Sequence, residues 1–542
     1  MMMLFFFFAL LLAAVPAGAA EQVPPSYRIA GIVVDAVTNA PVANAEVSIS
    51  EGTEQTKTTS GDDGRFLFQA VNAGKYMLSA TARGYVFEGF NQHGFYSSGI
   101  AVGSGLDSEH VIFRLHPQAI ITGRVTEEHG EAVRQAQVML FGTESTSGRH
   151  ARFVQAQMQT DDLGEYRFAH LQAGKYYIAV VARPWYAQTG FSEVPQQENS
   201  NFRRNGGRAK SDPSFDVVYP ITFYPGVTSE SAAGELNLAA GEKEEADIHL
   251  QTVPAVHVRL TNLPVDEQGR VQIGANEKLF GSLNTGLGVA YAQIAPGEYE
   301  VAGLPPGDVL LTVSEGGNQE WRTRTIKANL SEGDALNGAE TGAIVNVSGC
   351  VIFSVENARP VQAQVSLISE DNSSTYAKLQ KDGTFSFAPL QEGTYKVFVN
   401  IAGSDEYVEK ITATGAKALG REVTIAGAGD VQLTIKMGHG VGQVTGVAKV
   451  DGKATAGVMI LLVTDSGQNL TEDSRLDQSD SDGTFALNGI LPGKYLLLAI
   501  EDGWDIEWAN WAVLKPYFEK AQVLQIAEND QKKVIVEVQR KK

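Results

Sequence analysis

One arrangement of apolar residues and glycines occurs five times along the chain. A glycine is followed by apolar residues two, four and seven positions later, and by a second glycine ten positions later. In four copies a tyrosine lies two positions beyond the second glycine. Side chains two residues apart share one face of a β-strand, so each copy predicts a strand with one buried face, followed by another strand. The copies begin at Gly64, Gly164, Gly297, Gly383 and Gly483, and the copy at Gly297 is degenerate.

Turn residues separate these predicted strands. Asp62-Asp63-Gly64 and Ser481-Asp482-Gly483 are typical of hairpin turns in which glycine takes the left-handed backbone conformation. Upstream of four copies, a glycine-containing strand is followed by a second strand-like segment, such as residues 45–49. Helical periodicity is nearly absent. Short strands at regular spacing predict an all-β protein, a tandem array of about five Greek-key-type β-sandwich domains after a signal peptide.

The positions of the copies divide the 542-residue chain into domains. The predicted repeats are 26–116, 118–252, a degenerate 254–341, 342–437 and 438–542. Repeat 2 carries an inserted polar loop at 185–215. The junctions are only a few residues long, which favours a semi-rigid, elongated rod over domains on flexible strings.

The first 20 residues have the character of a secretory signal peptide. An apolar run over residues 4–15 is followed by Ala17-Gly18-Ala19, the small-residue pattern that a signal peptidase recognises. No Lys or Arg precedes the run, which leaves cleavage open, and a membrane anchor is the alternative. The run is short for a membrane span, and no later segment is apolar enough to be one. We therefore expect an exported protein, periplasmic or extracellular, without an integral membrane segment after cleavage.

Charge and cysteine content narrow the functional classes. The formal net charge is −20, from 43 basic and 63 acidic residues, the opposite of the balance that a nucleic-acid binder needs. Cys350 is the only cysteine, so an intramolecular disulfide is impossible. Alignment of the copies places Cys350 opposite Arg124, whereas its neighbour Val351 matches core positions. Alternation then predicts a partly exposed thiol, able to pair two chains. A buried thiol is the alternative, because Ile32 and Val447 occupy the same aligned position.

The sequence has no His followed by Glu three residues later, the zinc-peptidase spacing, and no Gly-x-Ser-x-Gly elbow. His129 and Glu131 lie two residues apart, but a solvated turn explains them. Asp477, Asp480 and Asp482 weakly resemble a calcium loop, although hairpin chemistry explains the Asp-Gly pair without metal. We therefore predict no enzyme, no catalytic residue, no metal and no cofactor, with a peptidase or hydrolase accessory as a less favoured alternative.

Aromatic residues supply the candidate binding site. Tyr85, Trp185 and Trp504 lie nine positions after the tyrosine of their copies, where a strand ends at the sandwich rim, and Tyr186 adjoins Trp185. Exposed rim aromatics can stack on sugar rings, whereas buried ones cap the core, and both interpretations stay open. Trp504, Trp508 and Trp511 have the spacing of one face of a short helix, which most often packs onto its own domain.

Taken together, these motifs resemble the carboxypeptidase regulatory-like domain, a transthyretin-like or starch-binding-like β-sandwich. The resemblance is close in copies one, two, four and five and weak in copy three. It implies no peptidase activity. It suggests a non-catalytic binding protein, with glycan as the leading ligand class and another cell-envelope protein as a second possible partner. The alternative is a structural spacer or adhesin stalk of the cell envelope.

Overall fold

The structure is a computed structural model. It describes residues 26–144, 148–188, 212–263, 271–281, 283–317, 320–331, 335–338, 344–354, 363–369, 374–401, 406–427, 429–467 and 470–542. The predicted signal peptide and residues 189–211 of the predicted insertion lie outside these ranges. Strands dominate, so the predicted all-β fold is confirmed. No helix among the described residues has the length and apolar character needed to cross a bilayer.

The first domain is a sandwich of two sheets around a core that includes Phe66 and Phe68. One sheet has the order β4-β1-β8, with β1 antiparallel to β4 and parallel to β8. The other has the order β3-β2-β5, with β6 and β7 both paired to β5. The strands of the first domain are β1 (Tyr27–Asp35), β2 (Glu46–Glu51), β3 (Glu54–Thr59), β4 (Arg65–Val71), β5 (Gly74–Thr81), β6 (Glu88–Gly89), β7 (Gly99–Val102) and β8 (Val111–Leu115).

The second domain repeats this plan around a core that includes Tyr166 and Phe168. The sheet β12-β9 is extended by β17 and β18, and it faces the sheet β11-β10-β13 with β15 and β16. Two short 3-10 helices, Pro213–Phe215 and Glu230–Ala232, lie in its later part. Its strands are β9 (Ala119–Thr126), β10 (Gln137–Glu144), β11 (Ala151–Gln159), β12 (Glu165–Leu171), β13 (Gly174–Val181), β14 (Val217–Val218), β15 (Thr222–Phe223), β16 (Leu236–Leu238), β17 (Lys243–Glu245), β18 (Ile248–His249) and β19 (Val253–Pro254).

The third and fourth domains are also two-sheet sandwiches with separate cores. The third has sheet orders β23-β24-β20-β27 and β22-β21-β25-β26. Its strands are β20 (Val256–Thr261), β21 (Val271–Leu279), β22 (Leu283–Leu287), β23 (Ala290–Ala295), β24 (Glu298–Leu304), β25 (Gly307–Gly317), β26 (Glu320–Leu330) and β27 (Ala335–Asn337). The fourth has sheet orders β32-β29-β38-β35 and β31-β30-β34-β37-β36. Its strands are β28 (Ile344–Val345), β29 (Val347–Ile352), β30 (Ala363–Ser369), β31 (Ser374–Lys378), β32 (Thr384–Ser386), β33 (Leu390–Gln391), β34 (Gly393–Ile401), β35 (Tyr407–Thr414), β36 (Lys417–Leu419), β37 (Glu422–Ile425) and β38 (Val431–Gly438).

The fifth domain adds short helices to the same plan. Its sheets are β40-β39-β43 with β46, and β42-β41-β44-β45 with β47. Its strands are β39 (Gly442–Val450), β40 (Lys453–Ala454), β41 (Met459–Thr464), β42 (Arg475–Gln478), β43 (Thr484–Ile490), β44 (Gly493–Glu501), β45 (Gln522–Ile526), β46 (Gln531–Glu537) and β47 (Gln539–Arg540). Its helices are α1 (Leu470–Asp473), α2 (Trp511–Leu514) and the 3-10 helix Lys515–Lys520.

The repeated glycines have two separate physical roles. The first glycine of each copy is in the left-handed region, with φ between +74° at Gly64 and +87° at Gly383, as the hairpin turns require. The upstream glycine provides close approach instead. A Cβ on Gly31 would lie 2.1 Å from the carbonyl oxygen of Val111 and 2.9 Å from the Phe66 ring. The aromatic of the repeat therefore packs across the bare backbone of the first strand.

The repeated tyrosine closes a local hydrogen bond. In each copy that contains this tyrosine, the tyrosine hydroxyl donates to the backbone carbonyl oxygen of the residue four positions earlier, at the start of the same hairpin. The bond measures 3.3 Å at Tyr76, 2.8 Å at Tyr176, 2.7 Å at Tyr395 and 2.8 Å at Tyr495. This tyrosine stabilises the turn between two core strands, so its recurrence has a structural reason.

The predicted elongated rod is wrong, because the fifth domain returns to the first. Lys75 in the first domain forms an ion pair with Asp480 in the fifth. The amide of Ser481 donates to the carbonyl of Gly99 at 2.9 Å, beside the strand edge of β7. The fifth domain also contacts the second, where the amide of Ala509 donates to the carbonyl of Gly148. The linkers are short, as expected, but the rotations between successive domains close the arrangement, which repeat spacing does not reveal.

Candidate functional site

Trp185 and Tyr186 form an aromatic pair on the surface of the second domain. They lie on a turn just beyond β13, and 87% of Trp185 is exposed. The two rings meet edge to face, with centroids 5.7 Å apart. Tyr186 is half-buried, and its hydroxyl lies 3.4 Å from Glu128 Oε1. Burial and the charge of Glu128 raise the pKa of Tyr186. Tyr186 therefore anchors the turn, while the indole of Trp185 projects into solvent.

Polar groups border this pair on one side. The hydroxyl of Thr252 donates to Glu128 Oε1 at 3.1 Å, which fixes the carboxylate beside Tyr186. Behind the turn, the amide of Gln188 donates to the carbonyl of Phe215 at 2.7 Å. An exposed indole with a held carboxylate nearby offers a stacking face and hydrogen-bond acceptors. We call Trp185, Tyr186, Glu128 and Thr252 the aromatic platform.

The turn before the platform contains His129, which the sequence paired with Glu131. Instead, His129 Nδ1 lies 2.9 Å from Glu127 Oε2, and the His129 side chain is 79% exposed. The hydrogen bond to Glu127 raises the pKa of His129. The ligand atoms of Glu127, Glu128 and His129 lie within 4.8 Å of one another. However, Glu127 Oε1 accepts the backbone amides of His129 and Glu131, so turn formation accounts for this carboxylate.

Trp504 is not an exposed rim aromatic, which corrects its prediction as a ligand contact. It is only 9% exposed, because the loop after β6 of the first domain covers it. The His93 imidazole stacks on the indole with centroids 4.9 Å apart and planes 6° apart, and Tyr96 lies 5.7 Å away. Its indole Nε1 donates to the carbonyl of Gly457 at 3.3 Å. Trp504 thus seals a domain contact and presents no free face.

Tyr85 has a third environment. It is half-buried and packs against the core of the first domain. Its hydroxyl donates to Asp35 Oδ2 at 3.0 Å. Burial, followed by the bond to Asp35, raises the pKa of Tyr85. Of the aromatics predicted as ligand contacts, only Trp185 and Tyr186 lie together, and only Trp185 presents a largely open ring.

The predicted tryptophan stripe is not a helix face. Helix α2 begins only at Trp511, and Trp504 and Trp508 lie in turns before it. Trp504 and Trp508 nevertheless share one hydrophobic cluster, against which Trp511 packs. The expected packing onto the fifth domain therefore occurs, with a different local backbone.

The acidic residues that resembled a calcium loop point to separate partners. Asp477 Oδ2 accepts the amide of Ala486 at 2.8 Å, and Asp482 Oδ1 accepts the amide of Thr484 at 3.1 Å. Asp480 turns instead toward Lys75 of the first domain. The series supplies hairpin and interdomain hydrogen bonds.

The predicted facing of Cys350 is confirmed. Cys350 is partly exposed, whereas Val351 beside it is only 5% exposed and belongs to the core of the fourth domain. The Sγ atom lies 4.0 Å from the hydroxyl oxygen of Thr434 on the neighbouring strand. The thiol therefore lies on the outer face of the sheet, as alternation along β29 requires.

Comparison with solved structures gives matches of low similarity. The Bacillus anthracis TIE protein matches at 10% identity over 96% of this chain and 76% of its own, with a TM-score of 0.17. GBS52, the minor pilin of Streptococcus agalactiae, matches at 16% identity over 36% of this chain and 95% of its own, with a TM-score of 0.20. BcpA, the major pilin subunit of Bacillus cereus, matches at 10% identity over 78% of this chain and 99% of its own, with a TM-score of 0.14. At these scores, the description of the fold rests on the strands and cores above.

Comparison at the level of sequence is more specific. No curated protein matches the chain. The profile of the carboxypeptidase regulatory-like domain matches residues 28–92 and 120–204. These segments contain the first two copies of the glycine and aromatic pattern, including Phe66, Phe68, Tyr166 and Phe168. The first and second domains of this chain are therefore carboxypeptidase regulatory-like domains.

Proposed function

We propose that the chain is an exported, non-catalytic binding protein that takes carbohydrate on the aromatic platform of its second domain. The observation that carries this proposal is the 87% exposure of Trp185 on an anchored turn. A large, rigid aromatic surface left open to water favours a ligand that stacks on it. The apolar face of a sugar ring suits the indole, and sugar hydroxyls suit a held carboxylate.

The charge around the platform narrows the ligand class. Glu128 belongs to the platform, and Glu127 and Glu131 lie on the turn beside it. Anionic polysaccharides would be repelled at this surface, whereas neutral sugars can donate hydroxyl hydrogen bonds to the carboxylate. We therefore propose a neutral glycan as ligand.

A non-catalytic role is supported by how the acidic and histidine groups are used. Glu127 holds a turn, Asp480 joins two domains, and His129 is an exposed partner of Glu127. The regulatory-like domain of the first two repeats also carries no implied chemistry of its own. Roles as a peptidase or hydrolase accessory thus remain less favoured.

A structural role in the cell envelope is the second candidate. The contacts between the first and fifth domains support a compact scaffold over an adhesin stalk, because a stalk needs its two ends far apart. An interaction with another cell-envelope protein would then use the outside of this scaffold.

The test is retention on immobilised polysaccharides. Trp185→Ala should abolish retention on the neutral glycans that the wild-type chain binds, with little change in melting temperature, since the ring is mostly exposed. Phe95→Ala is the matched control, because Phe95 is 85% exposed on the first domain. It should leave retention unchanged. Unaltered retention by Trp185→Ala, or a wild type that binds no neutral glycan, would refute the proposal.

A further inference from the structure

The second and third domains meet at a histidine held between two carboxylates. His257 lies at a bulge in β20, where the register of pairing with β24 shifts. Its Nδ1 is 2.8 Å from Glu300 Oε1 in its own domain, and its Nε2 is 2.6 Å from Asp216 Oδ2 in the second domain. The exposed fraction of the side chain is 23% for His257, 21% for Asp216 and 1% for Glu300. The imidazole therefore joins the two domains in a largely dry site.

With both carboxylates ionised, this geometry requires a charged ring. A neutral imidazole donates from one nitrogen only, so one carboxylate would face a nitrogen lone pair. An imidazolium donates from both nitrogens, to Asp216 Oδ2 and to Glu300 Oε1. Burial opposes the charge, but the bonds and charges of the two carboxylates outweigh it and raise the pKa of His257. Arg259 lies opposite Glu300 in the strand register and adds positive charge to the same face.

A second titratable group lies on β21, also near the second domain. Glu277 is half-buried, near Glu230 of the second domain and Asp308 of its own. Burial first, and then these two negative charges, raise the pKa of Glu277 to about 7. Glu230 is itself fixed at the contact, because its Oε2 accepts the amide of Phe280 at 2.6 Å. Ionisation of Glu277 would therefore place another negative charge beside a held carboxylate.

An aromatic contact supplies a part of this interface that does not titrate. The Phe280 ring enters the second domain between Phe141, Tyr177 and Phe223, with centroid distances of 4.7, 5.6 and 5.4 Å. The Arg152 guanidinium of the second domain lies 4.7 Å from the Phe280 centroid, over the ring, and places a positive charge at this contact. This packing contributes to the domain contact at any pH, and the protonation of His257 and Glu277 changes the stability of the contact.

We propose that the contact between the second and third domains is controlled by protonation. The contact is most stable when His257 is protonated and Glu277 is neutral. Both groups release a proton when the contact opens, so alkaline conditions loosen it. The free energy by which Glu277 favours the closed contact is lost as the pH rises from about 4.5 to about 7. The free energy by which His257 favours it is lost as the pH rises above about 6.5. Each proton released raises the opening equilibrium about tenfold per pH unit within its window.

Hydrogen exchange on the full chain tests the pH dependence of this domain contact. The probe is the Phe280 amide, which is protected by Glu230 across the interface. Its rate is divided at each pH by the rate of the unfolded chain. The wild type should lose protection from pH 5 to pH 9. His257→Gln should exchange faster at pH 6 and lose the response above pH 7. Glu277→Gln should exchange more slowly at pH 8 and lose the response below pH 7.

His129→Gln is the matched control, because this histidine also pairs with a glutamate but lies on an exposed turn of the second domain. It should follow the wild type at every pH. A direct readout is nitrogen NMR of labelled histidine, which should show both nitrogens of His257 protonated at pH 7. A neutral ring at that pH, or protection at Phe280 that is the same from pH 5 to pH 9, would overturn the proposal. So would an equal response in all three variants.

Discussion

Removal of the Asp480 side chain should weaken the closed arrangement of domains. Asp480 forms an ion pair with Lys75 and accepts the amide of Gly99 at 2.7 Å. The Lys75 side chain is 49% exposed, so the ion pair itself is worth less than about 1 kcal/mol. The orphaned amide adds about 1–2 kcal/mol, because solvent replaces its acceptor incompletely. Asp480→Ala should therefore weaken the contact by about 2 kcal/mol, a change of about thirtyfold in the open-to-closed ratio.

Small-angle scattering measures this opening directly. A linear row of five domains with radii of gyration of about 13 Å would have an overall radius of gyration of about 50 Å, whereas a closed arrangement has about 30 Å or less. The variant should shift from the smaller value toward the larger one, and the amides of β7 should exchange faster. The matched control is Asp161→Ala, since Asp161 occupies the same hairpin position in the second domain, but its side chain accepts the amides of Leu163 and Glu165 within its own turn. If Asp480→Ala and Asp161→Ala both keep the wild-type radius and exchange, the argument is wrong.

Two further predictions concern the repeats themselves. Tyr176→Phe should destabilise the second domain by about 1–2 kcal/mol by leaving the carbonyl of Gln172 without its donor, and Tyr76→Phe should cost less because its bond is longer, at 3.3 Å against 2.8 Å. Exchange of core amides in each domain checks the difference, and equal losses would contradict it. Cys350 should react with a thiol reagent in the native chain, because it is partly exposed on the outer sheet face. Reaction only after denaturation would contradict that placement.

Much of the fold could be predicted because each repeat signals its own core. Alternation identified Phe66 and Phe68 as core residues, and both are 4% exposed. The same argument separated Cys350 from Val351. These predictions depend on local periodicity, which a strand imposes on its own residues. Packing between domains follows no such period. The pairing of Lys75 with Asp480, and of His257 with Asp216, joins residues for which the sequence contains no spacing rule.

The aligned aromatics show where prediction from the repeats fails and why. Tyr85, Trp185 and Trp504 occupy one position in three copies of the same sandwich, and they have three different environments. Tyr85 bonds to Asp35 within its domain, Trp504 lies under His93 of another domain, and Trp185 faces solvent. The sandwich itself is common to all three, so the difference comes from what each rim meets. Alignment therefore identifies the position, but only the arrangement of the domains decides which ring is open to a ligand, and this leaves Trp185 as the one to test.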